Sequence, residues 1–274
     1  MSNQACTLQA PVRHLFGPGP SPVHPRVYEA MRQPIVGHLD PYSFKVNEEF
    51  RPLLHLCFGT KNDFTMVISG TGSAGMEPAV VNFIEPGSKA AIFANGYFSD
   101  RLTEMATRQR AEVVRLEKPW GEVYTDAEAE EFIAREKPAV VAFVQAETST
   151  GAYQPGHGIA RAAHAHGALV IMDCVTSLGG MPVEVDAAGI DIAYSGTQKA
   201  LGCPPGLAPI TVSPRALDWL RQRKTTPASW YLDLKLLLDY YESAHRYHHT
   251  APISMFYALR EALQIGRASC RERV

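Results

Sequence analysis

Short apolar runs alternate along the chain with stretches of helical spacing, and this alternation predicts the architecture. The runs Phe64–Ile68, Ala90–Ala94, Glu112–Leu116, Ala139–Val144, Ala168–Met172, Ile190–Tyr194 and Leu207–Val212 read as strands. Most are continuously apolar rather than alternating, which implies burial on both faces. The fold class expected is therefore α/β, a mostly parallel open sheet covered by helices. Pro209 places the last strand at an edge or a bulge. Helices are predicted through Val80, Val81 and Phe83, over Phe98–Thr107, over Asp126–Arg135 with Asp126 as N-cap, and over Ile159–His166.

The flanks follow the same logic. Residues 1–21 form a Gly- and Pro-rich arm ending near Phe16-Gly17-Pro18-Gly19-Pro20, which cannot be helical. Helices are expected over Val23–Arg32 and Pro41–Phe58, the second bent or broken at Pro52 and apolar on the face of Phe44, Phe50, Leu53, Leu54 and Cys57. Further helices are expected over Arg215–Gln222, Leu232–Tyr240 and Ile253–Leu263. One large domain over residues 22–252 is the expectation, with 253–264 starting a linker helix. Residues 265–274 break the helical pattern and resemble translated adapter sequence, so they are set aside as a non-native tail.

Composition narrows the function classes. The 274 residues are 46% hydrophobic and 20% charged, ordinary for a globular chain with a substantial core. A net charge of −2 gives no electrostatic case for nucleic acid or an anionic membrane. No apolar run is long enough to span a bilayer, and the first residues lack a signal-peptide pattern. The five cysteines are scattered and in no metal-ligand spacing, so no metal is expected and a cytoplasmic location fits.

Three local features carry chemistry. Val67-Ile68-Ser69-Gly70-Thr71-Gly72-Ser73 runs from strand into glycines into helix, and such an N-terminus offers free N–H groups and a dipole to a phosphate. A tight turn with no ligand accounts for the glycines alone equally well. Asp173 follows a buried strand directly, where a carboxylate is costly unless it is capped or meets a cation. Lys199 follows Tyr194-Ser195-Gly196-Thr197-Gln198 at the mouth of another buried strand, where part-desolvation lowers an amine's pKa and makes it a candidate nucleophile, although a lysine taken alone is more often a solvated residue opening a surface loop. Anion site, carboxylate and strand-end lysine together are the protein-side needs of pyridoxal 5′-phosphate.

With those residues in view, the chain resembles the class V, fold type I pyridoxal-phosphate aminotransferases, nearest to the alanine–glyoxylate and serine–pyruvate group. The resemblance covers about Leu15 to Leu263 and is most specific at Phe16–Pro20, Ser69–Glu77, Ala94-Asn95-Gly96, Glu147–Gly151, Asp173–Gly180, Tyr194–Gly206 and Tyr247-His248-His249-Thr250. It implies that Lys199 is the Schiff-base lysine and Asp173 the partner of the pyridine nitrogen. It implies a phosphate cup of Thr71, Gly72 and Ser73 with Gln198, a cofactor contact from Thr148 and ring stacking by Phe98. Tyr247 and Thr250 would reach the phosphate of a neighbouring subunit's cofactor, making a homodimer. Ser73 departs from the histidine of the animal enzymes and Phe98 from their tryptophan. The arginine for the substrate carboxylate would belong to a C-terminal small domain that the chain is expected to lack. The activity implied is transfer of an amino group from alanine or serine, or a ureidoglycine-like donor, to glyoxylate or pyruvate. The alternatives are a cysteine desulfurase-like enzyme and a non-catalytic phosphate-binding domain.

Overall fold

Seven buried or half-buried runs become strands: β1 (Phe64–Gly70), β2 (Lys89–Ala94), β3 (Glu112–Glu117), β4 (Val140–Val144), β5 (Leu169–Asp173), β6 (Ile192–Tyr194) and β7 (Gly206–Val212). The computed structural model describes residues 8–241 and 246–271, with side chains through 266. Residues 1–7 of the expected arm and 272–274 of the expected tail lie outside the described residues.

The strands form one sheet in the order β1-β7-β6-β5-β4-β2-β3. β7 runs antiparallel to both β1 and β6. The other neighbours pair in parallel, so six strands point their carboxyl ends at one edge. Every residue of β4 and β5 is buried, as continuous apolar runs require. β3 closes one edge with Glu112 and Arg115 in its sequence, charges that blunt an open ladder.

The sheet is covered by α1 (Pro25–Met31), α2 (Pro41–Phe58), α3 (Ser73–Phe83), α4 (Tyr97–Arg108), α5 (Asp126–Glu136), α6 (His157–Ala165), α7 (Val185–Ala188), α8 (Pro214–Gln222), α9 (Leu234–Tyr241) and α10 (Ile253–Arg271). Aromatic pairs lock the layers. Phe93 of β2 meets Tyr124 and Phe132 edge-on at 4.9 and 5.7 Å, and Phe50 of α2 meets Phe256 of α10 at 5.6 Å. Each such fully buried ring contributes roughly 1.5–3 kcal/mol through its area.

Several expectations are corrected. Pro209 lies in an interior strand opposite Val67, not at an edge. It is tolerated because β6 is only three residues long and its pairing with β7 stops at Ile210. The Pro209 carbonyl still accepts from Ser195 N–H at 2.8 Å, while its missing N–H falls beyond the β6 ladder. Pro52 sits inside a continuous α2. The N-cap of α5 is Thr125, not Asp126, because its hydroxyl accepts from Glu128 N–H in a capping box. α10 continues to Arg271, past the expected end at Leu263, since only Gly266 in that stretch disfavours helix and nothing in it breaks one.

Candidate functional site

Parallel strands deliver their carboxyl ends to one edge, so each strand-to-helix turn there contributes a group. β1 ends at Gly70 and gives Thr71-Gly72-Ser73, with Gly72 as the cap of α3. Ala74, Gly75 and Met76 donate their N–H groups to the Thr71 and Gly72 carbonyls at 2.7, 3.0 and 3.0 Å, so the cavity meets the turn itself together with the positive dipole end of α3. β5 ends in Asp173 itself, β6 leads to Gln198 and Lys199, β4 leads to Thr148, and β2 leads to Phe98 on the first turn of α4.

These turns enclose a cavity of about 180 Å³ lined by Thr71, Gly72, Ser73, Met76, Phe98, Arg101, Val144, Thr148, Asp173, Val175, Gln198 and Lys199. Eight of the ten residues named from the sequence thus meet in one place. Tyr247 and Thr250 do not. Tyr247 is 58% exposed with its ring 5.1 Å from His38, and Thr250 is exposed, both outside the cavity lining of their own chain.

Asp173 is 2% exposed. Its carboxylate accepts from Val175 N–H at 2.8 Å and from the Tyr194 phenol at 2.9 Å. Burial nevertheless dominates and pushes its pKa up to about 6, with the nearby Glu147 adding to the rise and the two hydrogen bonds and Arg101 opposing it. A carboxylate so placed is stabilised by any cation that enters the cavity. Burial likewise lowers the Lys199 pKa, against the pull of Asp173, so more of the amine is neutral near pH 7 than for an exposed lysine.

The N-terminal arm is fixed over the lysine. Ser21 donates its N–H to the Gln198 carbonyl at 2.9 Å and its hydroxyl to the Lys199 carbonyl at 2.6 Å. Lys199 Nζ donates to the Pro18 carbonyl. Gly19, at φ +118°, has no room for a side chain: a Cβ there would lie 2.7 Å from Lys199 Cδ.

Phe98 is positioned by two groups, Glu147 and Arg101, to which the sequence assigned no site role. Glu147, 1% exposed, accepts from Phe98 N–H at 3.1 Å and from Ser149 N–H and Oγ at 3.1 and 2.7 Å. This places a carboxylate at the N-terminus of α4, where the helix dipole favours it. Arg101 packs its guanidinium 4.9 Å from the Phe98 ring centre and donates to Ser73 Oγ at 3.0 Å. Its spacing of three and four residues from Phe98 and Tyr97 puts it on their helix face, a signal present in the sequence. Thr148 and Thr176 share a hydroxyl hydrogen bond at 2.5 Å.

Behind the Gly72 turn lies a polar chain with a definite direction. His248 Nε2 faces the Trp230 carbonyl at 3.4 Å, so it donates. In the neutral ring His248 Nδ1 then accepts from His249 Nδ1–H at 2.8 Å, and His249 Nε2 accepts the Ser69 hydroxyl at 2.7 Å. Burial, with His248 and His38 nearby, lowers the His249 pKa to about 4 and so favours the neutral form of that ring. Residues 246–250, which carry Tyr247 and Thr250, are thereby tied to the end of β1.

No helix among the described residues is long and apolar enough to cross a membrane. The family model described as Aminotransferase class-V matches residues 14–270. The chain is 38% identical over 261 residues to alanine–glyoxylate aminotransferase of Oryctolagus cuniculus, covering 94% of this chain and 67% of that protein. Against the alanine–glyoxylate aminotransferase of Rattus norvegicus it is 39% identical, with 94% of this chain and 63% of the rat protein covered. Among solved structures, the alanine–glyoxylate aminotransferase from Nostoc sp. superposes with a TM-score of 0.93 at 48% identity, over 96% of this chain and 70% of that one. The ureidoglycine–glyoxylate aminotransferase from Bacillus subtilis gives 0.95 at 39% identity, over 97% and 69%. The chain therefore spans about two thirds of the length of the curated relatives it matches. It belongs to the class-V aminotransferase family.

Proposed function

We propose that this chain is the cofactor-binding part of a pyridoxal-phosphate-dependent aminotransferase that passes an amino group from a small amino acid to glyoxylate or a similar small 2-oxo acid. Class-V aminotransferases depend on this cofactor, and glyoxylate is in the names of the alanine and ureidoglycine relatives. The observation that carries the reading is that Lys199, Asp173 and the Gly72 turn open on one cavity.

The residues fit the cofactor on chemical grounds. Gln198 Oε1 is buried without a hydrogen-bond partner, and Asp173 is desolvated with no cation in ion-pair contact among the described residues. The Asp173 cost is one that a cationic ring offsets, and the Gln198 side chain can meet a phosphate through its amide N–H groups. When bound, the cofactor supplies an electron-accepting ring that stabilises negative charge at the substrate's Cα. Lys199 would attach it through Nζ and, once displaced by the donor, would carry the proton from Cα. Asp173 would hold a proton on the ring nitrogen. Phe98 would bound one side of the ring. The positive end of α3, the Thr71 and Ser73 hydroxyls and the Gln198 side chain would take the phosphate.

The exposure of Tyr247 and Thr250 supports a role toward a second copy of the chain, with the phosphate site completed in a homodimer. Residues 22–252 would then be the large domain, with α10 leading out of it. A screen of amino donors against 2-oxo acids tests the function. Alanine, serine or a ureidoglycine-like donor paired with glyoxylate or pyruvate should turn over, and K199A should not. Release of sulfur from cysteine without amino transfer would point instead to a desulfurase.

A further inference from the structure

We propose that Arg101 sets the charge this cavity selects, pairing with Ser73 to recognise a dianionic phosphate end while its guanidinium packs over Phe98. The inference rests on the cofactor reading above and assigns a residue to its charge selectivity.

Arg101 Nη1 donates to Ser73 Oγ at 3.0 Å, so the serine oxygen is used as acceptor and its own O–H proton is free to be donated onward. The guanidinium carbon lies 4.9 Å from the Phe98 ring centre and 5.3 Å from that of Tyr97. One planar group thus ties the phosphate turn of α3 to the ring-bearing turn of α4.

Among the described residues, Ser73 is the hydrogen-bond partner Arg101 has, and no carboxylate lies in ion-pair range of it. A half-buried guanidinium without a carboxylate is costly unless an anion completes it. Charge along the cavity is uneven. Asp173 feels both Lys199 and Arg101, so two cations share one acid in this lining, and among the described residues no carboxylate is in ion-pair contact with Arg101 at the Ser73 end, where α3 presents its positive end. That end is preorganised for more than one negative charge. Arginine suits the position better than lysine would, because its five N–H donors let it hold Ser73 and still donate to an anion while it packs on an aromatic ring.

The test is calorimetric titration of the full chain, free of cofactor, with inorganic phosphate, pyridoxal 5′-phosphate and pyridoxal, in wild type, R101M, R101K and S73A. R101M should weaken phosphate about ten- to a hundredfold, the range for a lost charge-assisted hydrogen bond. It should also bring pyridoxal 5′-phosphate to within a few-fold of pyridoxal. R101K should recover part of the phosphate affinity, and S73A should lose less than R101M. If thermal unfolding shows R101M to be misfolded, R101Q, which keeps a flat polar group without the charge, carries the same comparison.

Folded R101M or R101Q that binds phosphate within about twofold of wild type overturns the proposal. If wild type itself does not distinguish pyridoxal 5′-phosphate from pyridoxal, the cofactor reading falls with it. If wild type distinguishes them and the folded variants do so equally, only the role of Arg101 falls.

Discussion

Tyr194 and Asp173 are register partners on adjacent parallel strands, and the tyrosine's phenol donates to the carboxylate across the ladder at 2.9 Å. The pairing exists only in this register, because a one-residue slip of β6 would turn Tyr194 to the opposite face. The site is therefore built into the sheet rather than added by loops alone.

Tyr194→Phe keeps the buried ring and removes the donor. One oxygen of a buried carboxylate then loses its partner, which costs about 1–3 kcal/mol. The denaturant midpoint of the cofactor-free protein should fall accordingly at neutral pH. Because that hydrogen bond holds the Asp173 pKa down, the acid limb of cofactor binding should also move to higher pH in Y194F. An unchanged midpoint and an unchanged limb would contradict the role given to the phenol.

Asp173→Asn separates function from stability. Burial raises the folded pKa of Asp173 to about 6, above an unfolded value of about 3.9. Its stabilising contribution to the cofactor-free protein is complete below about pH 4 and is lost as pH rises through about 6, on the order of 2–3 kcal/mol. D173N cannot ionise, so between pH 6 and 8 the empty variant should unfold at a higher denaturant concentration than wild type while losing activity. A parallel pH dependence of stability in the two proteins would count against a buried ionising carboxylate.

Gly96→Ala tests the support of Phe98. The backbone there is extended, so the constraint is space: a Cβ would lie 2.3 Å from Glu147 Cγ. Glu147 would have to leave the N-terminus of α4 and release Phe98 N–H. Crowding of a packed site costs typically 1–3 kcal/mol. The denaturant midpoint of G96A should drop by that amount, and cofactor affinity should drop with it. Wild-type values for both would show that Glu147 can move without consequence.

His249 gives a pH dependence of the opposite sign. Its folded pKa is lowered to about 4, below the unfolded value of about 6.5. The stability it contributes is complete above pH 6.5 and is lost as pH falls through 4. The acid side of a stability–pH curve should flatten in H249Q between those values. His248 and His38 lie beside it and add to the lowering, and a curve that keeps its full acid slope in H249Q would contradict the assignment.

Much of the site was legible because continuous apolar runs locate strand ends, and the polar residues just beyond those ends are where a parallel sheet gathers its groups. Asp173, Lys199 and the Gly72 turn follow from that rule alone. Pro209 was misplaced because the position of a proline in a ladder depends on how long the neighbouring strand is, and β6 proved shorter than its apolar run. Arg101 escaped notice, and Glu147 stood only as the start of the Glu147–Gly151 segment with no role, since an arginine on a helix and a glutamate after a strand are usually solvated and only the fold turns them inward. The direction of the Ser69–His249–His248 chain required three contacts from separate segments, which no local pattern encodes.

The central claim is that Lys199 is the amine that captures the cofactor. Incubating the protein with pyridoxal 5′-phosphate, reducing with borohydride and mapping the peptides by mass spectrometry tests it directly. The account predicts one reduced pyridoxyl adduct, on the peptide containing Lys199 and absent from K199A. A label spread over surface lysines, or retained in full in K199A, would contradict it.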